Sequence, residues 1–334
     1  MILIRAFICV AITATIGRAA PRPVILDVDP GIDDALAILL AVRSPELDVR
    51  AITVVFGNVE LELGASNALK ILELAGRSDI PVGRGEAAPL VPLVGDALTA
   101  KNVHGENGLG NVSLPESKTK LYEGGALRLI AETLEASSEP VTLLPVGPLT
   151  NIALFLKVHP ELTPKIREIV SMGGSAAAPG TVKPTVSFNI LNDPEAAAIV
   201  YRSGIPVTMV GLDVTLKTVL TPERVSAFSS SPDPVARFVG AVVAFHRNVR
   251  GAEGVVVHDP LAVGAVIDPS FLRTELLPVD VELRGELTRG QMVVDRRADA
   301  TWRTGFPRST RVSLDVDRER FLSFLLDRLC SEKH

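Results

Sequence analysis

From Pro23 onward the chain alternates short, continuous apolar runs with amphipathic stretches, the habit of a mostly parallel sheet covered by helices on both faces. The apolar runs predict strands over Val24 to Val28, Val49 to Phe56, Val141 to Val146, Ile166 to Ser171 and Pro206 to Gly211, each rich in Val and Ile and closed by Gly, Asp or Pro. The amphipathic stretches predict helices over Asp33 to Val42, Glu60 to Ala75, Gly125 to Ala136, Pro148 to Val158, Asp193 to Ser203, Asp233 to Asn248 and Arg318 to Leu329. Parallel strands bring their carboxyl ends to one edge, where open α/β sheets bind ligands. No Ser/Pro/Gly-rich boundary divides the chain, so the expected fold class is α/β, a single domain with a mostly parallel central sheet flanked by helices. The connections Pro89 to Leu121 and Gly173 to Val186 are long for a compact α/β enzyme, and long loops there commonly belong to the site.

The first residues break this pattern. Arg5, an apolar run from Ala6 to Ile16 and small residues at Gly17 and Ala19 read as a signal peptide over 1–19, with the domain over 20–334. Export to the periplasm or medium is the expectation, the alternative being a leader on a cytoplasmic enzyme. The run is short for a bilayer span, so no stable membrane insertion is expected after processing.

Composition then narrows the function. A 334-residue chain that is 47% hydrophobic can bury a large core without staples. Its net charge of −5 and scattered Lys and Arg offer no basic face to a nucleic acid polymer. Cys9 and Cys330 sit at opposite ends and match neither a metal knuckle nor a disulfide framework.

The segment VILDVDPGIDDALAILL holds Asp27, Asp29, Asp33 and Asp34 within eight residues, where an apolar strand hands over to a helix. Capping explains one acid at a helix start, but not four that repel one another. The positive end of the helix relieves part of that repulsion, and a hard divalent cation would relieve the rest. An all-oxygen set selects Ca²⁺ or Mg²⁺ over softer metals.

With these residues the chain resembles the inosine-uridine preferring nucleoside hydrolase family. The resemblance runs through DVDPGIDD at 27–34, AITVVFGN ending at Asn58, NVHGENGLG at 102–110, LLPVGPLTNIAL at 143–154, SMGGS at 171–175, SFNILNDPEAA at 187–197, GLDVT at 211–215 and VHDPLAV at 257–263. It implies a Ca²⁺-dependent hydrolase that cuts the N-glycosidic bond of a small-molecule nucleoside, releasing ribose and free nucleobase. Asp29 resembles the family's general base, which also touches the metal; Asp34 and Asp259 resemble carboxylate ligands, and Val146 sits where a main-chain carbonyl completes the protein's share. Asp33, Asn58 and Asn189 match positions that bind or support the ribose hydroxyls, with Asp27 behind them. His258 matches a histidine on the leaving-group side, and His104 a position near the base. Such a reaction passes through an oxocarbenium-like ribosyl cation, which nearby negative charge stabilises. The resemblance also implies a homodimer or homotetramer.

Taken alone, His258 reads equally as the residue before a helix capped by Asp259, and GPLTN as a helix start with Pro148 in its first turn. His159 and His246 carry no expected role. Thr181 and Ser187 stand where the family holds the ribose 5′-hydroxyl with an asparagine and a glutamate, so the 5′ side of the pocket is expected to be altered and less demanding. Two other readings remain at this stage: a non-catalytic exported ribosyl-binding protein, and a haloacid-dehalogenase-type phosphatase, which also places DxD after a buried strand.

Overall fold

The structure is a computed structural model that describes residues 20–92, 99–250, 254–297 and 310–330. The proposed signal peptide and Trp302 lie outside these residues. No helix among the described residues is long and apolar enough to cross a membrane.

The hydrophobic runs do form the sheet. Strands β1 (Arg22–Val28), β2 (Leu47–Val54), β3 (Val82–Arg84), β4 (Val141–Pro145), β5 (Ile166–Met172) and β6 (Val207–Val210) lie in the order β3-β2-β1-β4-β5-β6, all parallel. The strand Thr310–Val316 adds to β6 in parallel, and Leu272–Leu277 closes that edge antiparallel. Eight strands thus stand where five were expected. The three additions are a three-residue strand at one edge and two strands at the other. Half-exposed edges alternate rather than run apolar: LRTELL and TRVSLDV bury only some of their positions, so the continuous-run signal misses them.

Helices cover both faces. On one, α1 (Ile32–Arg43) and α2 (Leu61–Leu74) pack with the helices Pro234–Arg250, Asp259–Ile267 and Arg318–Cys330. A single turn of α-helix, α3 (Lys101–His104), sits in the long loop after β3. On the other face α4 (Gly125–Ala136), α5 (Thr150–Val158) and Pro194–Tyr201 form a second core. α1 is buried nearly all round, from Asp34 to Val42, because helices flank it as well as the sheet. Full burial of each of its Leu and Ile side chains contributes about 1.5–3 kcal/mol of transfer free energy.

In the order 3-2-1-4-5-6 the chain reverses direction across the sheet between β1 and β4. The crevice at their carboxyl ends is the switch point where doubly wound sheets place ligands. Asp29 follows β1 there and Val146 follows β4.

Candidate active site

Pro30 and Gly31 turn the chain from β1 into α1, and the four acids diverge to different partners. Asp27, at the buried end of the strand, accepts from the Thr53 hydroxyl at 2.5 Å and the Asn151 amide at 2.7 Å. Asp29 accepts from the Asn58 backbone N–H at 2.8 Å through Oδ2. Asp34 reaches back to the turn, accepting from the N–H groups of Asp29 and Gly31, each at 3.0 Å, and from the Asn58 side chain at 2.9 Å. Capping thus accounts for Asp34, and not for Asp27, Asp29 or Asp33.

The Asp29 carboxylate fits only because two glycines flank it. A Cβ on Gly57 would stand 2.1 Å from its Oδ2, and one on Gly147 would stand 2.6 Å from its Oδ1. Gly57 is the last residue but one of the AITVVFGN run and Gly147 begins GPLTN, so both motifs make room at one carboxylate. Asn151 in GPLTN does more than start a helix. Besides Asp27 it binds the Val54 carbonyl at 3.1 Å and accepts from Glu86 N–H at 2.9 Å, tying β1, β2 and the loop after β3 together.

Asp259, more than two hundred residues further along, enters the same cluster. One carboxylate oxygen each from Asp33, Asp34 and Asp259 lies within 4.8 Å of the others. Oxygens bound to one calcium at about 2.4 Å can be at most about 4.8 Å apart, so the three fit one ion. Asp259 is the first residue of the helix Asp259–Ile267 and is buried. Asp29 adjoins the cluster, with Oδ1 buried and without a hydrogen-bond partner; Asp33 Oδ1 is in the same state. The Val146 carbonyl lines the cavity and accepts from the Asn189 side chain, whose amide also reaches the Met172 carbonyl at 3.2 Å. A second lone pair stays on the Val146 oxygen. Carboxylates, a carbonyl and two orphaned oxygens form a donor set suited to a hard divalent cation.

Burial raises every one of these acids, and the charges of neighbouring carboxylates add to it for Asp27, Asp29, Asp34 and Asp259. Asp29 is held well above the usual carboxylate range by burial and by the charge of Asp34, and Asp259 likewise by burial and by Asp33, Asp34 and Asp29. Burial also lifts Asp33 to about 6 and Asp27 to about 7. Such a cluster stores repulsion that a cation would cancel.

The cluster opens into a cavity of about 680 Å³. His104, Asn58, Asn189, Thr181, Ser187 and His258 all line it, so every expected substrate-side residue shares one space. His104 accepts from the Ile32 backbone N–H at Nδ1, 3.0 Å away, so its neutral ring carries the proton on Nε2. The His258 ring is oriented by the Thr215 hydroxyl, 2.9 Å from Nδ1. Thr215 ends GLDVT, a motif to which no role attached in the sequence. His246 is the residue that sequence reasoning passed over: it lines the cavity and its ring stacks with His104, centroids 6.2 Å apart. The helix Pro234–Arg250 is apolar on the face that carries Val239, Val242 and Val243, and His246 lies one turn beyond Val243 on that stripe, the only signal that could have found it.

A family model described as "Inosine-uridine preferring nucleoside hydrolase" matches residues 24–323. The pyrimidine-specific ribonucleoside hydrolase RihA of Photobacterium profundum is 44% identical over 315 residues, covering 93% of this chain and 99% of its own. RihA of Escherichia coli O7:K1 is 44% identical over 312 residues, covering 92% and 98%. Among solved structures, the purine-preferring ribonucleoside hydrolase from Gardnerella vaginalis superposes with a TM-score of 0.85 at 34% identity, covering 92% of this chain and 98% of its own. An inosine-guanosine nucleoside hydrolase superposes with a TM-score of 0.86 at 30% identity, covering 94% and 100%. The chain is therefore an N-glycosyl hydrolase acting on nucleosides, and it belongs to the inosine-uridine preferring nucleoside hydrolase family.

Proposed function

We propose that the chain is a calcium-dependent ribonucleoside hydrolase in which Asp29 is the general base and His258 serves the departing nucleobase. The observation that carries this reading is the meeting of Asp29, Asp33 and Asp34 with Asp259 beside the Val146 carbonyl, in one buried cluster open to a substrate-sized cavity. Bound calcium would neutralise the cluster and make a nearby water more acidic. Asp34, Asp259, the Val146 carbonyl and Asp29 are the residues that would hold it, and Asp33 stands close enough to join them or to receive a ribose hydroxyl.

Asp29 has the attributes of a base. Its Oδ2 is pinned by Asn58 N–H while Oδ1 keeps its lone pairs for a water proton. The negative charge of the cluster favours the positive ribosyl group that forms as the bond to the base breaks. Asn58 and Asn189 hold the cluster's edges and offer amides to the ribose hydroxyls. His258, oriented by Thr215, and His104, with its proton fixed on Nε2, supply the leaving base with hydrogen-bond donors. The 44% identity to relatives named pyrimidine-specific makes uridine and cytidine the first substrates to try.

The test is ribose release from uridine, cytidine and inosine, with and without a calcium-selective chelator. Free ribose is expected, abolished by chelation and restored by calcium. Tight nucleoside binding with no ribose under any metal condition would reverse the reading.

A further inference from the structure

The cavity walls differ in chemistry on the two sides of the acid cluster. His104, His246 and His258 make one wall, and the segment from Gly173 to Phe188 makes another. On the functional reading above, on which this inference rests, the ribose diol lies at the acids and the base among the histidines. The remaining substituent of the ring, C5′, is then directed at the Gly173–Phe188 wall.

That wall is poorly equipped to hold a hydroxyl. The residues it turns to the cavity include Gly180, Thr181, Val182, Ser187 and Phe188, none of them a carboxylate, an amide or a cation, and the amide N–H groups of the next lining residue, Asn189, are engaged by the carbonyls of Val146 and Met172. Both hydroxyls already serve the loop: Ser187 Oγ accepts from Gly174 N–H at 2.7 Å and Thr181 Oγ1 from Phe188 N–H at 3.0 Å. They have a proton to give but no anionic oxygen to receive one. Val182 is 47% exposed at the rim, with Phe188 half-buried beside the buried Met172, so apolar surface faces this end of the cavity. The wall is also braced. A Cβ on Gly174 would lie 2.7 Å from Met292 Cγ, and one on Gly290 would lie 2.9 Å from Val186 Cγ1, so the hairpin Val279–Val281 and Met292–Val294 backs the loop closely.

We propose that this enzyme accepts ribonucleosides whose 5′-hydroxyl is missing or replaced by an apolar group, 5′-deoxy and 5′-alkylthio nucleosides, as substrates comparable to the parent nucleosides. The reaction is the same hydrolysis: the C1′–N bond breaks, water oxygen bonds to C1′, and the proton of water ends on the base. The products are the free base and the 5′-modified ribose. A site built to hydrogen-bond a substrate hydroxyl rejects the analogue lacking it by about 10⁴–10⁵, whereas an apolar pocket discriminates by only about 10–200-fold.

The experiment compares kcat/KM of the full chain, calcium present, on uridine, 5′-deoxyuridine and 5′-methylthio-5′-deoxyuridine, reading free uracil. Both analogues are expected within a hundredfold of uridine, and a larger loss on both overturns the proposal. Failure of the functional reading itself looks different, because uridine is then not cleaved either. Val182→Glu, at the exposed rim, and Ser187→Glu each place a carboxylate at this wall. Either one that folds, judged by circular dichroism and thermal melting, is expected to lower kcat/KM on the methylthio analogue at least tenfold relative to uridine. An unchanged ratio in both would assign C5′ to another wall and overturn the proposal.

Discussion

The two sides of the cavity at the acid cluster are built on different principles. The acid side stands on the ends of β1, β2 and β4 and on the first turns of two buried helices, α1 and Asp259–Ile267, where the core fixes the backbone. Its carboxylates are tied by backbone N–H groups, by Asn58 and by Asn151. The opposite walls come from connections and helix ends, namely the Gly173–Phe188 loop, α3 and the end of the helix Pro234–Arg250, where Ser187 and Thr181 each accept from one loop N–H and His104 from that of Ile32. Groups that must place a water, a base and a sugar within tenths of an ångström belong on elements held by the core. Recognition of the varied ends of a substrate belongs on segments that can change without disturbing the sheet. Substitutions on the acid side should therefore cost turnover, and those on the loop side should mostly redistribute specificity.

The sharpest way to break this contrast is Asp29→Asn. The amide keeps the shape but cannot take a proton, so kcat at saturating calcium should fall about 10²–10⁴-fold, the range for a positioned base. Thermal stability of the calcium-free protein should hold or rise, because one of the mutually repelling, buried charges is gone. Turnover within tenfold of the parent would move the base to another residue. A smaller loss, about 10²-fold in kcat, is expected for His258→Ala with natural nucleosides. It should shrink toward parity with a p-nitrophenyl riboside, whose leaving group departs without a proton. An equal loss on both substrates would make His258 a residue that shapes the cavity rather than one that serves the leaving group.

The same contrast governs what the sequence disclosed. The inner strands are continuous Val- and Ile-rich runs, and the five that were predicted all lie in the sheet's parallel body, with ends shifted by at most two residues. The acid side was legible because four aspartates at a strand exit have few bland explanations. Asp259, by contrast, joined them only through the resemblance of VHDPLAV, since nothing local in a His-Asp-Pro helix start points across the molecule. Edge strands such as Leu272–Leu277 were invisible because half-exposed positions carry no continuous apolar run. The supporting contacts were hidden for a different reason: Asn151 holds Asp27 across 124 positions, and Thr215 orients His258 across 43, distances at which sequence periodicity carries no information.

His246 is the finest probe of the loop side, because its helical spacing marked it only as part of an amphipathic helix while the fold brings its ring against His104. His104 has its tautomer fixed by Ile32 N–H, but its ring plane depends on what packs beside it. A ring pair of this kind is worth about 0.5–1.5 kcal/mol beyond its buried area, which corresponds to roughly two- to tenfold in binding. His246→Ala should raise KM for pyrimidine nucleosides by about that factor with kcat little changed, and His246→Phe should recover most of it by restoring an aromatic neighbour. If phenylalanine recovers nothing while glutamine does, the contribution of His246 is a hydrogen bond to the base rather than support for the His104 ring. In that event the loop side would hold a second polar contact to the nucleobase, and the division of labour between the two sides would be less strict than the fold suggests.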